Sequence, residues 1–202
     1  MLDKAMRNVI DPVVNHWGQA LAARGWTANG VTGLGLALGL GSAVVLALGW
    51  PAGLALILLL ASRLADGLDG AVARATQKTD FGGYLDIVCD FIFYGAIPLA
   101  FACRDPGGNA VAAAFLLASF YANGSSFLGY AILAAKRGMA TSDRGEKSVY
   151  FTSGLLEGTE TILFFVILCL WPGAFAPLAY IFGILCFYTC ISRIWLAWRV
   201  FG

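Results

Sequence analysis

Six apolar stretches follow one another along this chain, at about residues 31–50, 51–69, 83–103, 110–135, 152–171 and 177–199, joined by short polar turns. A helix needs roughly 20 apolar residues to cross a bilayer, so six crossings and their connections use up almost all of the 202 residues. No separate soluble domain fits, and any chemistry must be built from helix ends. The composition agrees: 59% of residues are hydrophobic and 12% charged, with a mean hydropathy of +0.77. Ahead of the first stretch, Leu2, Met6, Ile10, Val13, Val14, Trp17 and Leu21 recur at spacings of three and four among polar residues, with Pro12 as a kink. That is the pattern of a helix lying in the membrane interface. The expected fold is an all-α integral membrane protein. Residues 1–28 form an interfacial amphipathic helix and linker, and residues 29–202 form a domain of six transmembrane helices.

Six crossings return both termini to one side. Lys4, Arg7, Arg24, Arg74, Lys78, Lys136, Arg137, Arg144, Lys147 and Arg199 fall on that side, against Arg104 alone on the other, which assigns the termini to the cytoplasm. Thirteen basic against twelve acidic residues leave a formal charge of +1, too little to hold a nucleic acid backbone. The five cysteines lie in apolar runs, with His16 the only histidine, so neither a disulfide framework nor a zinc site is expected. Lys4 and Arg7 are not followed by an uninterrupted apolar run, so the N-terminus does not read as a cleaved signal peptide. In the first span Gly33, Gly35, Gly39, Gly41 and Ser42 allow close helix approach.

Residues 65–90 place four aspartates in helices that otherwise avoid charge. A carboxylate at the bilayer centre costs about 2.5–3.5 kcal/mol on insertion scales and less near the interface, so four together point to function. Asp66 and Asp69 are three apart on one helix, Asp86 and Asp90 four apart on the next, so each pair shares a face. The turn between them is short enough for antiparallel neighbours whose acidic faces meet at the cytoplasmic end. Four converging carboxylates without nearby Cys or His make a hard oxygen site for Mg²⁺, Mn²⁺ or Ca²⁺, with room for the two-ion clamp used in phosphoryl transfer. Gly67, Gly70, Gly82 and Gly83 let a phosphate approach the backbone. Arg74, two turns beyond Asp66 on the same face, offers a planar fork. Metal carboxylates and a phosphate-binding arginine together suggest a diphosphate substrate.

At these residues the chain resembles the CDP-alcohol phosphotransferases, integral membrane enzymes that move a phosphatidyl or similar group from a CDP-activated donor to an alcohol. Their signature, Asp-x2-Asp-Gly-x2-Ala-Arg, a spacer, then Gly-x3-Asp-x3-Asp, is met by Asp66, Asp69, Gly70, Ala73, Arg74, Gly82, Asp86 and Asp90, with a spacer one residue shorter than usual. A second family pattern, Pro-Asn-x2-Thr, is met just before the first span by Asn29 and Thr32, with Ala28 in place of the proline. The resemblance covers the whole chain. It implies that Asp66, Asp69, Asp86 and Asp90 hold metal, two ions of Mg²⁺ or Mn²⁺, with Asp90 also the general base. Gly70, Ala73 and Arg74 would line the nucleotide diphosphate site, bordered by Asn29 and Thr32 unless either caps the helix. CDP-diacylglycerol and an alcohol would be the substrates and CMP the product. The expected setting is a homodimer among the lipids of a bacterial inner membrane, with the site facing the cytoplasm.

The acceptor must be chosen by polar residues near the cytoplasmic ends of spans four to six. Arg137, Arg144, Lys147 and Arg193 could grip a phosphorylated alcohol, although the first three also serve as positive-inside anchors. Glu157 and Glu160, three apart on the fifth span, either meet the acceptor or pair with Arg63 or Arg193. Ser119, Asn123 and Ser126 share a face of the fourth span, as acceptor-cavity lining or as interhelical hydrogen-bond partners. After Asp90 the run Phe-Ile-Phe-Tyr-Gly-Ala-Ile-Pro resembles the phosphatidylserine synthase branch, whereas the glutamates depart from it. The sequence does not name the alcohol. Two other readings stay open: a donor with another CDP-linked group, and a divalent cation transporter using the intramembrane carboxylates. A transporter would want acids near the midplane and an exit on the far side, but these cluster at one end.

Overall fold

The computed structural model describes residues 2–139, 156 and 158–202, and among these every regular element is helical. α1 (Leu2–Ala23) is followed by α2 (Ala28–Ala47), α3 (Ala52–Ala75), α4 (Asp80–Arg104), α5 (Pro106–Lys136), α6 (Gly158–Leu170) and α7 (Phe175–Phe201), with a short 3-10 turn at Pro172–Ala174 before α7. α2, α4, α5 and the stretch from Pro172 to Phe201 are long and apolar enough to cross a membrane. α3 carries Arg63, Asp66 and Asp69, and the described part of α6 is 13 residues, so neither stands with those four by length and composition.

The helix starts follow local chemistry. Thr27 caps α2, its hydroxyl accepting from the Gly30 amide, and Thr79 caps α4 in the same way through Gly82. Asp105 caps α5, with Pro106 at the first helical position. α2 therefore begins three residues earlier than the hydropathy suggests, which puts Asn29 and Thr32 inside its first turns. Neither is the cap.

α2 packs along both α3 and α4, α5 along α4 and α7, and α1 lies against α3. Two of the glycines in α2 account for its closeness to its neighbours. A Cβ at Gly35 would lie 3.4 Å from the Ala65 Cβ, and one at Gly39 only 2.6 Å from a Phe93 ring carbon, whereas Gly33 faces open space. Ser42 adds a hydrogen bond to the Ala55 carbonyl and Ser62 one to the Gly35 carbonyl, each satisfying a hydroxyl that the bilayer could not. The apolar core runs through Leu46, Leu59, Phe93, Phe101, Phe165 and Phe175. Phe101 stacks on Phe175, and Phe164 on Phe182. Ile57, Leu64, Val111, Ile132, Ile181 and Trp198 point outward, the inverse of a soluble protein and the arrangement lipid favours.

α1 continues as helix through Pro12. It turns Val14 and Gly18 inward against α3, while Val13 and Trp17 are each 59% exposed. Gly18 abuts Ala71 so closely that no side chain fits between them. The outward apolar face is the one an interfacial helix offers to lipid.

Candidate functional site

α3 and α4 run antiparallel across a four-residue turn, Thr76–Thr79, and bring the aspartate pairs together. Asp66, Asp69 and Asp86 each present a carboxylate oxygen such that all three lie within 4.8 Å of one another. Asp69 is buried and the other two half-buried. Three hard oxygen donors at this separation, with no sulfur or imidazole among them, fit Mg²⁺, Mn²⁺ or Ca²⁺. Thr32 on α2 donates a 2.6 Å hydrogen bond to Asp69 Oδ2, fixing that carboxylate from a third helix.

Asp90 stands outside this cluster. Its Oδ1 accepts from Arg63 Nη1 at 2.8 Å, and the same nitrogen lies 3.5 Å from Asp66 Oδ1. Arg63 therefore pairs with two of the aspartates. Arg63 Nη2 also donates to Ser62 Oγ, and the guanidinium carbon lies 4.1 Å from the centroid of the Phe93 ring.

Beside the cluster opens a cavity of about 760 Å³ between the N-terminal ends of α2 and α4 and the C-terminal end of α3. Asn29, Thr32, Gly70, Ala73 and Arg74, all singled out from the sequence as donor-binding, line it together with Asp69 and Asp86. At Gly82 a Cβ would come within 3.0 Å of Thr79 Oγ1 and 3.2 Å of Asn29 Oδ1, so a side chain there would crowd both. Trp26, Gln77 and Lys78 also line the cavity and had not been singled out as donor-binding. Their only signal was adjacency to the motif. Arg74 is held from outside the cavity by α1, where Asn15 Oδ1 accepts from both Nε (3.2 Å) and Nη2 (2.7 Å). Asn15 is visible in the sequence only as part of the polar face of α1.

Only some of the residues considered for the acceptor are among the described residues. Arg144, Lys147 and Glu157 lie outside the described residues. Arg137 donates to the carbonyls of Val200 and Phe201 at the end of α7. Glu160 is half-buried in the first turn of α6, near Gly158, whose Cβ position is 3.6 Å from the Tyr94 hydroxyl. Arg193 is buried and donates through Nη1 to the Asn123 carbonyl, to Asn123 Oδ1 and to Ser126 Oγ. Asn123 and Ser126 thus act as interhelical partners, while Ser119 donates back to Leu116 within its own helix.

Residues 26–198 match the family described as CDP-alcohol phosphatidyltransferase. Over 195 residues the chain is 46% identical to the inner membrane protein YnjF of Escherichia coli (strain K12), an alignment that spans 96% of this chain and 94% of that protein. Its fold is similar to the crystal structure of Mycobacterium tuberculosis phosphatidylinositol phosphate synthase (PgsA1) with CDP-DAG bound. The TM-score is 0.71 and the identity 22%, covering 93% of this chain and 94% of that one.

Proposed function

Because the chain belongs to the CDP-alcohol phosphatidyltransferase family, we propose that it transfers a phosphatidyl group from CDP-diacylglycerol to an alcohol acceptor, releasing CMP. The observation that carries this reading is the meeting of two features at one place. Asp69 and Asp86 belong to the carboxylate cluster and also line the cavity that holds Arg74.

In this reading Arg74 takes the donor diphosphate through its planar fork, and the absence of a side chain at Gly70 and the small one at Ala73 leave the phosphates room along α3. Asn29 offers its amide to the nucleotide from α2, while Thr32 keeps the Asp69 carboxylate oriented. Asp66, Asp69 and Asp86 would hold a divalent cation, Mg²⁺ or Mn²⁺, and Asp90 would help to hold a second; such ions would supply neutralising charge for the diphosphate and the departing CMP. Asp90 accepts the proton of the acceptor hydroxyl as its oxygen attacks the lipid-side phosphorus. The bond from that phosphorus to the bridging oxygen breaks, and CMP leaves with the electron pair. Most of the acceleration is then positioning and electrostatics. The site faces the cytoplasm of a bacterial inner membrane, supported by Arg24, Arg74, Lys78, Lys136 and Arg199 at the helix ends nearest it.

We assign Glu160 to the acceptor side. It lies in the first turn of α6, two residues after Gly158, which faces the hydroxyl of Tyr94, one turn beyond Asp90 on α4. Replacing it by Gln should change the acceptor KM and leave the donor KM in place; the reverse pattern would remove it from that role.

The reaction itself is tested with the purified chain in mixed micelles of CDP-diacylglycerol and a panel of alcohols: glycerol 3-phosphate, inositol phosphate and serine. CMP should appear with at least one of them, stop in EDTA and return with Mg²⁺ or Mn²⁺. Mass spectrometry of the lipid then names the acceptor. CMP release that persists in excess EDTA would remove the metal from the mechanism.

A further inference from the structure

Four carboxylates and one guanidinium gather between α3 and α4, leaving three formal negative charges before any cation binds. The guanidinium is not loosely placed. Its side chain is 10% exposed, Nη1 bridges Asp90 at 2.8 Å and Asp66 at 3.5 Å, Nη2 meets Ser62, and Phe93 lies beneath it. Yet its Nε is buried without a hydrogen-bond partner among the described residues, so the group gives up one of its five donors to hold this position. Arg63 thus bridges Asp66 and Asp90, while Asp66 also belongs to the cluster with Asp69 and Asp86.

We propose that Arg63 is a positioning residue that competes with a second divalent cation for Asp66 and Asp90, so that without donor the four aspartates take up one ion tightly and a second only when the guanidinium is displaced. One divalent ion at Asp66, Asp69 and Asp86 leaves the set with a single negative charge. A second brought in beside a fixed guanidinium would meet like charge and find Asp90 already paired. A donor diphosphate changes this balance by adding negative charge, which favours the second ion. Loading of the second ion is then linked to arrival of the substrate, and Asp90 is kept paired until there is something to deprotonate. Ser62 and the face of Phe93 remain as supports for the guanidinium when it leaves Asp90.

The inference rests on the metal reading above, and one experiment separates the two. Mn²⁺ binding to the purified full chain, free of CDP-diacylglycerol, is followed by electron paramagnetic resonance and equilibrium dialysis. The wild type should bind one ion tightly and a second at least about tenfold more weakly. In Arg63→Gln and in Arg63→Met the second affinity should rise by about tenfold, the scale expected when a partly buried ion pair no longer competes. Arg63→Lys keeps the charge and should keep the second ion weak. Two equal sites in the wild type, or a second ion that stays weak in both neutral variants, would overturn the proposal. Asp69→Asn is the control: it should lose the tight ion, and unaltered Mn²⁺ binding there would instead defeat the metal reading itself. Should neither neutral variant fold, the wild-type isotherm alone still decides whether the two ions differ.

Discussion

Arg63 is half-buried on α3 and Arg193 buried on α7, and the bonds that hold them differ in kind. Arg63, at the α3–α4 interface, bonds to carboxylates that a cation could also use, whereas the bonds of Arg193 to Asn123 and Ser126 go to neutral oxygens on α5. A charged partner can be exchanged for another charge of the same sign as the arginine. A neutral one offers a divalent cation far less, so the bonds of Arg193 to Asn123 and Ser126 tie α5 to α7 without being open to that exchange. The contrast teaches that burial of an arginine in a membrane protein does not define its role; the exchangeability of its partners does.

The sharpest way to break this contrast is at Asp90. Asp90→Asn should lower CMP release by about 10²–10⁴, the range of general base catalysis, while binding of labelled CDP-diacylglycerol is retained. Near wild-type turnover would reduce the Arg63–Asp90 pair to the same structural status as the Arg193 tie. On the other side, Arg193→Met should cost about 1 kcal/mol or somewhat more by removing its hydrogen bonds to half-buried oxygens, seen as a lower melting temperature with the acceptor KM unchanged. A selective rise in that KM at full stability would move Arg193 into the acceptor pocket.

A third arginine sharpens the comparison, because Arg74 lines the cavity and yet is held by a neutral oxygen. Arg74→Lys keeps the charge but not the fork, and the donor KM should rise about tenfold with the acceptor KM unaffected. The smallest effect belongs to Asn15→Ala, which leaves Arg74 in place but unsteered. A rise in donor KM of about two- to threefold is expected, the size of a weak exposed hydrogen bond. If the Asn15 change equals the Arg74 change, α1 does more than steady the side chain.

The aspartates were legible because helical spacing is rigid. Three and four residues along α3 and α4 leave little choice about which face they share, and the short turn at Thr76–Thr79 leaves little choice about how the two helices meet. Gly70 and Arg74 stand in the same register, whereas Asn29, Thr32 and Ala73 came from the family patterns, and Trp26, Gln77 and Lys78 were not singled out for the cavity. Arg63 was harder to place, since its partner lies 27 residues away and depends on how α4 is rotated about its own axis. That rotation is set by packing such as Phe93 against α2, and hydropathy does not encode it. The start of α2 was misplaced for a related reason. Ala28, Asn29 and Gly30 look like linker by polarity, but one hydroxyl at Thr27 suffices to begin the helix there. The hold of Asn15 on Arg74 spans 59 positions and joins α1 to α3, a relation that exists only after both have folded.

Gly39 carries no charge, touches no substrate in the proposed reaction and would pass in any survey as a spacer. A methyl group there would strike Phe93 at 2.6 Å and Ser62 Oγ at 2.9 Å, and these are the two groups on which the Arg63 guanidinium leans. The charge arrangement of the site is therefore mechanically geared to the thickness of α2. A substitution of one hydrogen by one carbon, at a position with no polar atom in its side chain, should be inherited by the enzyme as a defect in cation loading and not merely as looser packing.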